Sequence, residues 1–412
     1  MLAEKRKIIN DPVHGFISLQ GDLVWKIIDS LWFQRLRRIK QLGLTHLVYP
    51  GALHTRFHHS IGAVHLMQQA IAALRIKGVE ISREEEEGSV LAILLHDIGH
   101  GPFSHALEYA IVKDISHETL SLRFMQELNR QHGGALETAL AIFEGRYHRT
   151  FFHQLVSGQL DADRLDYLKR DSFFTGVSEG VIGTERIIKM LDVQDDRLVV
   201  EEKGIYSIEK YLLARRLMYW QVYHHKTVLA ADSLLIQILK RARFLFANGD
   251  SLFSTPSLRF FLEGKATGSD MVNRERLDQF AALDDFDVIA SVKVWAGHSD
   301  RVLATLSSML MSRSLFKCLI QNDPFSEEFH ERVIRRVQQW LPVSAEEAAC
   351  FVHSDITSNS AYSPDSGPIL IQLKDGTLRQ MEEVAEQLNL SGEAIMRVKY
   401  FCCYPKEIAE AV

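Results

Sequence analysis

The stretch Leu91-Ala92-Ile93-Leu94-Leu95-His96-Asp97-Ile98-Gly99-His100-Gly101-Pro102-Phe103-Ser104-His105 decides how this chain is read. A wholly apolar helix runs into an adjacent imidazole and carboxylate, and two more histidines follow within nine residues. Polar atoms carried into a buried place need partners, and a metal ion satisfies several of them at once. Twelve of the eighteen histidines lie between His46 and His153, so the clustering exceeds what composition alone would give.

Composition sets the frame. A chain of 412 residues can bury a large core and holds two domains, or one domain with a substantial appendage. A formal charge of −6 argues against a general nucleic-acid binder. The local cluster Arg35, Arg37, Arg38 and Lys40 reads either as a phosphate-facing patch or as a solvated helix face. The four cysteines, Cys318, Cys350, Cys402 and Cys403, lie far from the histidines and form no CxxC pair, which argues against thiolate metal sites. The opening Met1-Leu2-Ala3-Glu4-Lys5-Arg6-Lys7 lacks the apolar stretch of a signal peptide, and no uncharged apolar run reaches membrane-spanning length. The expectation is a soluble cytoplasmic protein with no membrane partner.

Along the chain, residues 7–20 read as short strands around a turn, and apolar spacing from Asp22 to Lys40 predicts one helix. Helices are predicted in series at 58–77, 85–98, 104–112, 116–130, 135–144 and 148–170. The acidic run Glu84 to Glu87 suits a helix N-terminus. A longer helix over 207–247 carries Arg215, Tyr223 and His225 on one stripe, and Gly264 to Asp270 reads as a connection or lid. From about residue 300 the pattern is mixed: a loop from Thr357, a strand at Ile369, a Lys-Asp-Gly turn, a helix over 379–388 and a strand from Ala394 to Cys403.

Four residues make the metal hypothesis: His59, His96, Asp97 and Asp163. Two imidazoles and two carboxylates suit a borderline or hard divalent ion with positions left for water and a phosphate. Asp161 and Asp166 compete with Asp163 for the fourth place.

The order His…His-Asp…Asp on separate helices resembles the HD-domain phosphohydrolases, and the resemblance favours Asp163 through Asp161-Ala162-Asp163-Arg164-Leu165-Asp166-Tyr167, leaving Asp161 and Asp166 as caps, ion-pair partners or supporting acceptors. Phe33-Gln34-Arg35-Leu36-Arg37-Arg38-Ile39-Lys40-Gln41-Leu42-Gly43, Tyr49-Pro50-Gly51-Ala52 with His54, Arg56, Phe57, His59 and Ser60, and Asp163-Arg164 with Asp166, Tyr167 and Asp171 are similar to the deoxynucleoside triphosphate triphosphohydrolases of that family. The opening Ile9-Asn10-Asp11-Pro12-Val13-His14-Gly15 resembles its bacterial branch. The implied fold is mainly α: an HD helical bundle with a short N-terminal β-hairpin and a smaller C-terminal α+β region. The implied division is 1–50 for the strands and an interface helix, 51–300 for the catalytic bundle and 301–412 for the C-terminal region.

The resemblance implies hydrolysis of a dNTP to deoxynucleoside and inorganic triphosphate. It calls for one divalent ion (Mn, Fe, Mg, Ni, Co or Zn) and a second Mg accompanying the triphosphate. Water activated by the ion would attack the α-phosphorus in line, and an imidazole would protonate the departing 5′-oxygen. By motif position that acid is His105, with His100 close to the α-phosphate and Glu108 and His117 tuning the catalytic imidazole; Glu108 stands where relatives usually carry Asp. Arg56, Arg164 and Arg215 would take phosphate oxygens, Gln41 and the Leu42 backbone the sugar edge, and Asp171 the 3′-hydroxyl. Tyr167 would pack on the deoxyribose and exclude a 2′-hydroxyl, while Tyr223 and Lys226 would line the base and phosphate end; His224 stands where relatives commonly carry Gln. Asp29, Gln34 and Arg37 match positions that bind a guanine nucleotide between subunits, which implies dGTP or GTP activation and a homo-oligomer, dimer or tetramer. Two alternatives remain: another HD phosphohydrolase, acting on a nucleoside monophosphate or cyclic nucleotide, or a non-catalytic nucleotide sensor.

Overall fold

The computed structural model describes residues 7–103, 115–264, 271, 273–360, 367–386 and 396–410. The chain opens with an antiparallel hairpin, β1 (Lys7–Asp11) and β2 (Gly15–Leu19), closed at the Asp11↔Gly15 pair. The helix expected over 22–40 is interrupted. It divides into α1 (Asp22–Ile28), α2 (Leu31–Gln34) and a 3₁₀ turn from Arg35 to Arg38. Ser30 starts the second piece by accepting the Phe33 N–H at 3.3 Å, a local cap that outcompetes the continuous ladder.

Three helices build the centre of the molecule. α3 (Arg56–Ile76) is buried on most of its circumference and packs between α4 (Arg83–Leu95) and a later helix, Ala162–Thr175. α4 begins as the acidic run suggests, with a capping box: Ser82 Oγ accepts the Glu85 N–H at 3.1 Å and Glu85 Oε2 accepts the Ser82 N–H at 2.8 Å. α5 (His117–Gln131), α6 (Glu137–Phe143) and α7 (Thr150–Ser157) follow; α6 and α7 pack on α4, and α5 packs on α6. The segment expected to be one helix over 148–170 breaks at Gly158–Asp161, where Asp161 accepts the Arg164 N–H at 2.7 Å and starts α8 (Ala162–Thr175). The expected helix over 104–112 and most of the Gly264–Asp270 connection lie outside the described residues.

Beyond α9 (Thr184–Met190) and the strands β3 (Leu191–Gln194) and β4 (Arg197–Glu201), the helix expected over 207–247 is again two. α10 (Ile205–Met218) widens into a π turn at Tyr219–Tyr223, and α11 (Lys226–Ala247) restarts after His224, with His225 Nδ1 accepting the Thr227 N–H at 3.2 Å. π turns of this kind re-aim side chains, here the tyrosines.

The C-terminal part supplies strands to two sheets. β5 (Lys317–Gln321), β6 (His353–Ser360) and β9 (Met396–Tyr404) form an antiparallel sheet in the order β5-β9-β6, so the loop expected from Thr357 begins as strand. β7 (Leu370–Gln372) runs parallel to β4 and antiparallel to β8 (Leu378–Gln380), which tethers the C-terminal segment to the helical part. The helix expected over 379–388 is reduced to a single turn, Met381–Val384, within the described residues.

Candidate metal centre and phosphate pocket

The last turn of α4 leaves carbonyls without intrahelical partners, and burial forbids water from satisfying them. The fold answers with side chains from two distant segments. Ser121 Oγ donates to the His96 carbonyl at 2.6 Å and accepts the Gly99 N–H at 2.9 Å. Arg35, fully buried, donates to the Ile98 and His100 carbonyls at 2.6 and 2.9 Å. Its guanidinium lies between the rings of Phe124 and Phe280, 5.7 and 5.1 Å from their centroids. Burial pulls its pKa down to about 9, against the charge of Asp284. α5 approaches so closely that a Cβ on Gly99 would stand 2.3 Å from the His117 carbonyl and the Ser121 nitrogen. The His96-to-His100 turn is thereby held from three sides.

His59 from α3, His96 from the end of α4 and Asp163 from the first turn of α8 meet at one point, with ligand atoms within 4.8 Å of one another. His59 Nδ1 donates to Asp166 Oδ2 at 2.8 Å, and His96 Nδ1 donates to the Ile93 carbonyl at 2.6 Å. A carbonyl only accepts, and Asp166 is offered four donors, so these bonds place each imidazole hydrogen on Nδ1 and leave Nε2 with its lone pair. The two Nε2 atoms are 3.2 Å apart, and Asp163 Oδ1 lies 3.1 and 3.5 Å from them. Lone pairs and a carboxylate brought together without a hydrogen between them call for a cation, and two nitrogens with one or two carboxylates suit a divalent one. The surroundings are strongly anionic: burial alone would lower the His59 pKa, but hydrogen bonds to Asp163 and Asp166 and the charges of Asp166 and Asp97 hold it up at about 10, so near pH 7 a bound cation would take the place of a proton on Nε2.

Asp97 stands at the rim of this group. Its Oδ1 is 3.4 Å from His96 Nε2 and its Oδ2 is 3.7 Å from His59 Nε2, but Oδ2 also accepts Arg56 Nη1 at 2.6 Å. Arg56, assigned to phosphate from the sequence, therefore spends one arm on the carboxylate. His100 Nε2 lies 3.2 Å from Asp97 Oδ1, and its ring stacks on His117 at 3.8 Å and 18°. Burial and then the charge of Arg56 hold the His100 imidazole well below its ordinary pKa, against Asp97, so it is neutral near pH 7. His105 and Glu108 lie outside the described residues.

Next to this group is a wall of tyrosines and guanidinium groups. Arg164 donates to the Gly158 carbonyl at 2.6 Å and pairs with Asp161, which is thereby spent as cap and ion-pair partner. Arg215 donates to Gln159 Oε1 at 3.2 Å, and Tyr211 Oη donates to the Gln159 carbonyl at 2.7 Å. Tyr167 meets Tyr223 edge-on at 6.1 Å, and Tyr219 meets Tyr223 at 5.1 Å. Asp171 accepts Tyr223 Oη and faces His54 Nε2, both at 2.7 Å. The residues singled out from sequence are joined here by His54, which the sequence motif included without a role, and by Gln159, Tyr211 and Tyr219, which sequence reasoning missed; Tyr219, one turn from both Arg215 and Tyr223, carried the available signal. The Gln41 N–H donates to the His54 carbonyl at 3.0 Å, its Oε1 finds no partner among the described residues, and the Leu42 carbonyl accepts the Thr45 N–H at 2.9 Å. Lys226 is exposed at the start of α11.

The three residues assigned to a second nucleotide sit just after α1, at the end of α2 and in the turn that follows. Gln34 Oε1 accepts Arg37 Nε at 2.9 Å, Asp29 pairs with Lys7 at 3.4 Å, and Arg37 covers the Phe57 ring at 3.5 Å.

Comparison with known proteins fits this architecture. Residues 56–171 match the HD domain and residues 182–245 match the HD associated region. An uncharacterized protein of Bacillus subtilis, YwfO, is 34% identical over 322 residues, covering 76% of this chain and 72% of that protein. The chain belongs to the HD-domain phosphohydrolases. A phosphohydrolase from Bacteroides thetaiotaomicron, solved by crystallography, superposes on this HD protein with a TM-score of 0.94 at 48% identity, covering 98% of this chain and all of that one. The SAMHD1 homolog of Dictyostelium discoideum, named a deoxynucleoside triphosphate triphosphohydrolase, is 32% identical over 60% of this chain, which spans about half, 51%, of that relative's length. No helix among the described residues of this HD protein is long and apolar enough to cross a membrane.

Proposed function

We propose that this protein hydrolyses deoxynucleoside triphosphates to deoxynucleoside and inorganic triphosphate. The observation that carries the reading is the convergence of His59, His96 and Asp163 beside a wall that holds Arg164, Arg215 and the rings of Tyr167, Tyr219 and Tyr223. His59, His96, Asp97 and Asp163 would hold a divalent ion, which would supply Lewis acidity toward a phosphate oxygen and lower the pKa of water. The native metal is one of Mn, Fe, Mg, Ni, Co or Zn, with a second Mg bound to the triphosphate. Arg56, Arg164 and Arg215 then hold phosphate oxygens as forked donors. His105 gives its proton to the 5′-oxygen, Glu108 and His117 orient it, and neutral His100 stands by the α-phosphate without adding charge. Tyr167 packs on C2′ and leaves no room for a hydroxyl, Asp171 accepts from the 3′-hydroxyl, and Gln41, Leu42, Tyr223 and Lys226 complete the sugar and base contacts. At exposed Asp29 and Arg37 and half-buried Gln34, a dGTP or GTP bound between subunits favours an active dimer or tetramer in the cytoplasm.

The test is a panel of dNTPs and NTPs with product identification in the presence of each candidate metal. Released tripolyphosphate with a preference for the deoxy series is the expected result. Orthophosphate as the only phosphorus product would reassign the protein to another HD phosphohydrolase reaction, and binding without turnover would make it a sensor.

A further inference from the structure

The centre has an outer support that reaches the N-terminal hairpin. Asp166 is fully buried and its two oxygens receive four donors. Oδ1 takes His14 Nε2 at 2.7 Å and Arg170 Nη2 at 3.0 Å; Oδ2 takes His59 Nδ1 at 2.8 Å and Arg170 Nε at 2.8 Å. A carboxylate offers about four lone-pair sites, so all are used and none is left for a cation. On its far side Arg170 grips Asp11, with Nη1 to Oδ2 at 2.8 Å and Nη2 to Oδ1 at 3.3 Å. Asp11 Oδ1 also accepts the Val13 and His14 N–H groups at 2.9 Å each, which fixes the turn that carries the His14 ring. The group fits only because position 62 is glycine: a Cβ there would stand 2.0 Å from Asp166 Oδ1 and 2.2 Å from Arg170 Nη2.

We propose that His14, Arg170 and Asp11 are positioning residues for the metal centre: they hold Asp166, and Asp166 holds the His59 ring in the tautomer and orientation that aim Nε2 at the cation. This rests on the proposed role of His59 as a ligand and extends the site to the β1–β2 turn, outside the matched HD region. Removing His14 leaves Oδ1 of Asp166 with one donor and frees the carboxylate to swing, and the His59 ring swings with it. Groups that orient a ligating histidine this way are worth about 10–100-fold in metal affinity.

The experiment strips the full-length protein with a chelator and titrates it with Co²⁺ alone, without nucleotide, against a chromophoric competitor and by the Co²⁺ visible absorption spectrum. His14→Phe fills the space without donating and is expected to weaken Co²⁺ binding about 10–100-fold and shift the absorption bands. His14→Gln keeps an N–H donor and is expected to recover most of that loss. Circular dichroism and thermal melting establish that the variants fold. If His14→Phe does not fold, Asp11→Asn, which weakens the grip on Arg170 but keeps the turn's acceptor oxygen, is read the same way. A folded variant with parental affinity and spectrum would overturn the proposal. A parent that binds Co²⁺ yet hydrolyses no dNTP would instead overturn the proposed reaction and leave this inference standing.

Discussion

His96→Ala removes a nitrogen that no neighbour can replace, and turnover is expected to fall by about a thousandfold or more. His96 is buried, and its Nε2 converges with His59 and Asp163. Loss of a Lewis acid forfeits several kcal/mol of transition-state stabilisation, and about 4 kcal/mol is about three decades in rate. The measurement is single-turnover hydrolysis together with metal content of the purified variant. His96→Ala that keeps the parental rate would remove the ion from the mechanism. Asp163→Ala is expected to behave alike, since its Oδ1 faces both imidazoles. Asp97→Ala is more informative, because Asp97 also pairs with Arg56. Losing it leaves a buried guanidinium with one charge partner fewer, so its effect combines ligand loss with release of Arg56.

Gly62→Ala is the second large effect, and it is one of stability. Here the built methyl meets the ends of two side chains, which in a loose site would move aside. Asp166 and Arg170 cannot, because Asp11, His14 and His59 pin them and both are fully buried. Forcing a buried, hydrogen-bonded ion pair apart costs about 3–5 kcal/mol. The expected result is an unfolding free energy lower by about 3–5 kcal/mol, read from chemical denaturation as a lower midpoint with an unchanged slope. Gly297→Ala, where a Cβ would meet only the Val294 carbonyl at 3.8 Å, serves as the near-neutral control. A Gly62→Ala protein as stable as the parent would show that the pair relaxes without strain.

How much of this was legible in the sequence depends on how local the physics is. The carriers of the candidate ion sit in short motifs at element ends, and the α4 run into His96 announces itself by hydrophobicity alone. The breaks at Asp29–Ser30 and at His224–His225 did not announce themselves. Neither carries proline or glycine, and apolar spacing continues on both sides of each. What interrupts the first is the Ser30 cap together with Arg35, drawn inward by carbonyls more than sixty positions away. By contrast Gly158 and Asp161 marked a boundary that periodicity overrode, since an aspartate three residues before Arg164 is an ordinary helix start. Asp166 was read as a supporting acceptor or ion-pair partner, which it is, but what braces it was invisible for a different reason. Asp11, His14, Gly62 and Arg170 come from a turn and two helices, and nothing in any one segment says that they meet. That His54, named only within a motif, would face Asp171 was hidden in the same way.

Arg35 carries a wider consequence. The matched HD region begins at residue 56, yet the carbonyls that shape its signature turn are capped from position 35, and the acid behind its first histidine is braced from positions 11 and 14. The matched unit and the physical unit are therefore different objects. A fragment cut at the boundary of the match would expose stranded oxygens and an unbalanced charge in its own interior. The leading fifty-five residues are not a prefix to the machine but part of its chassis.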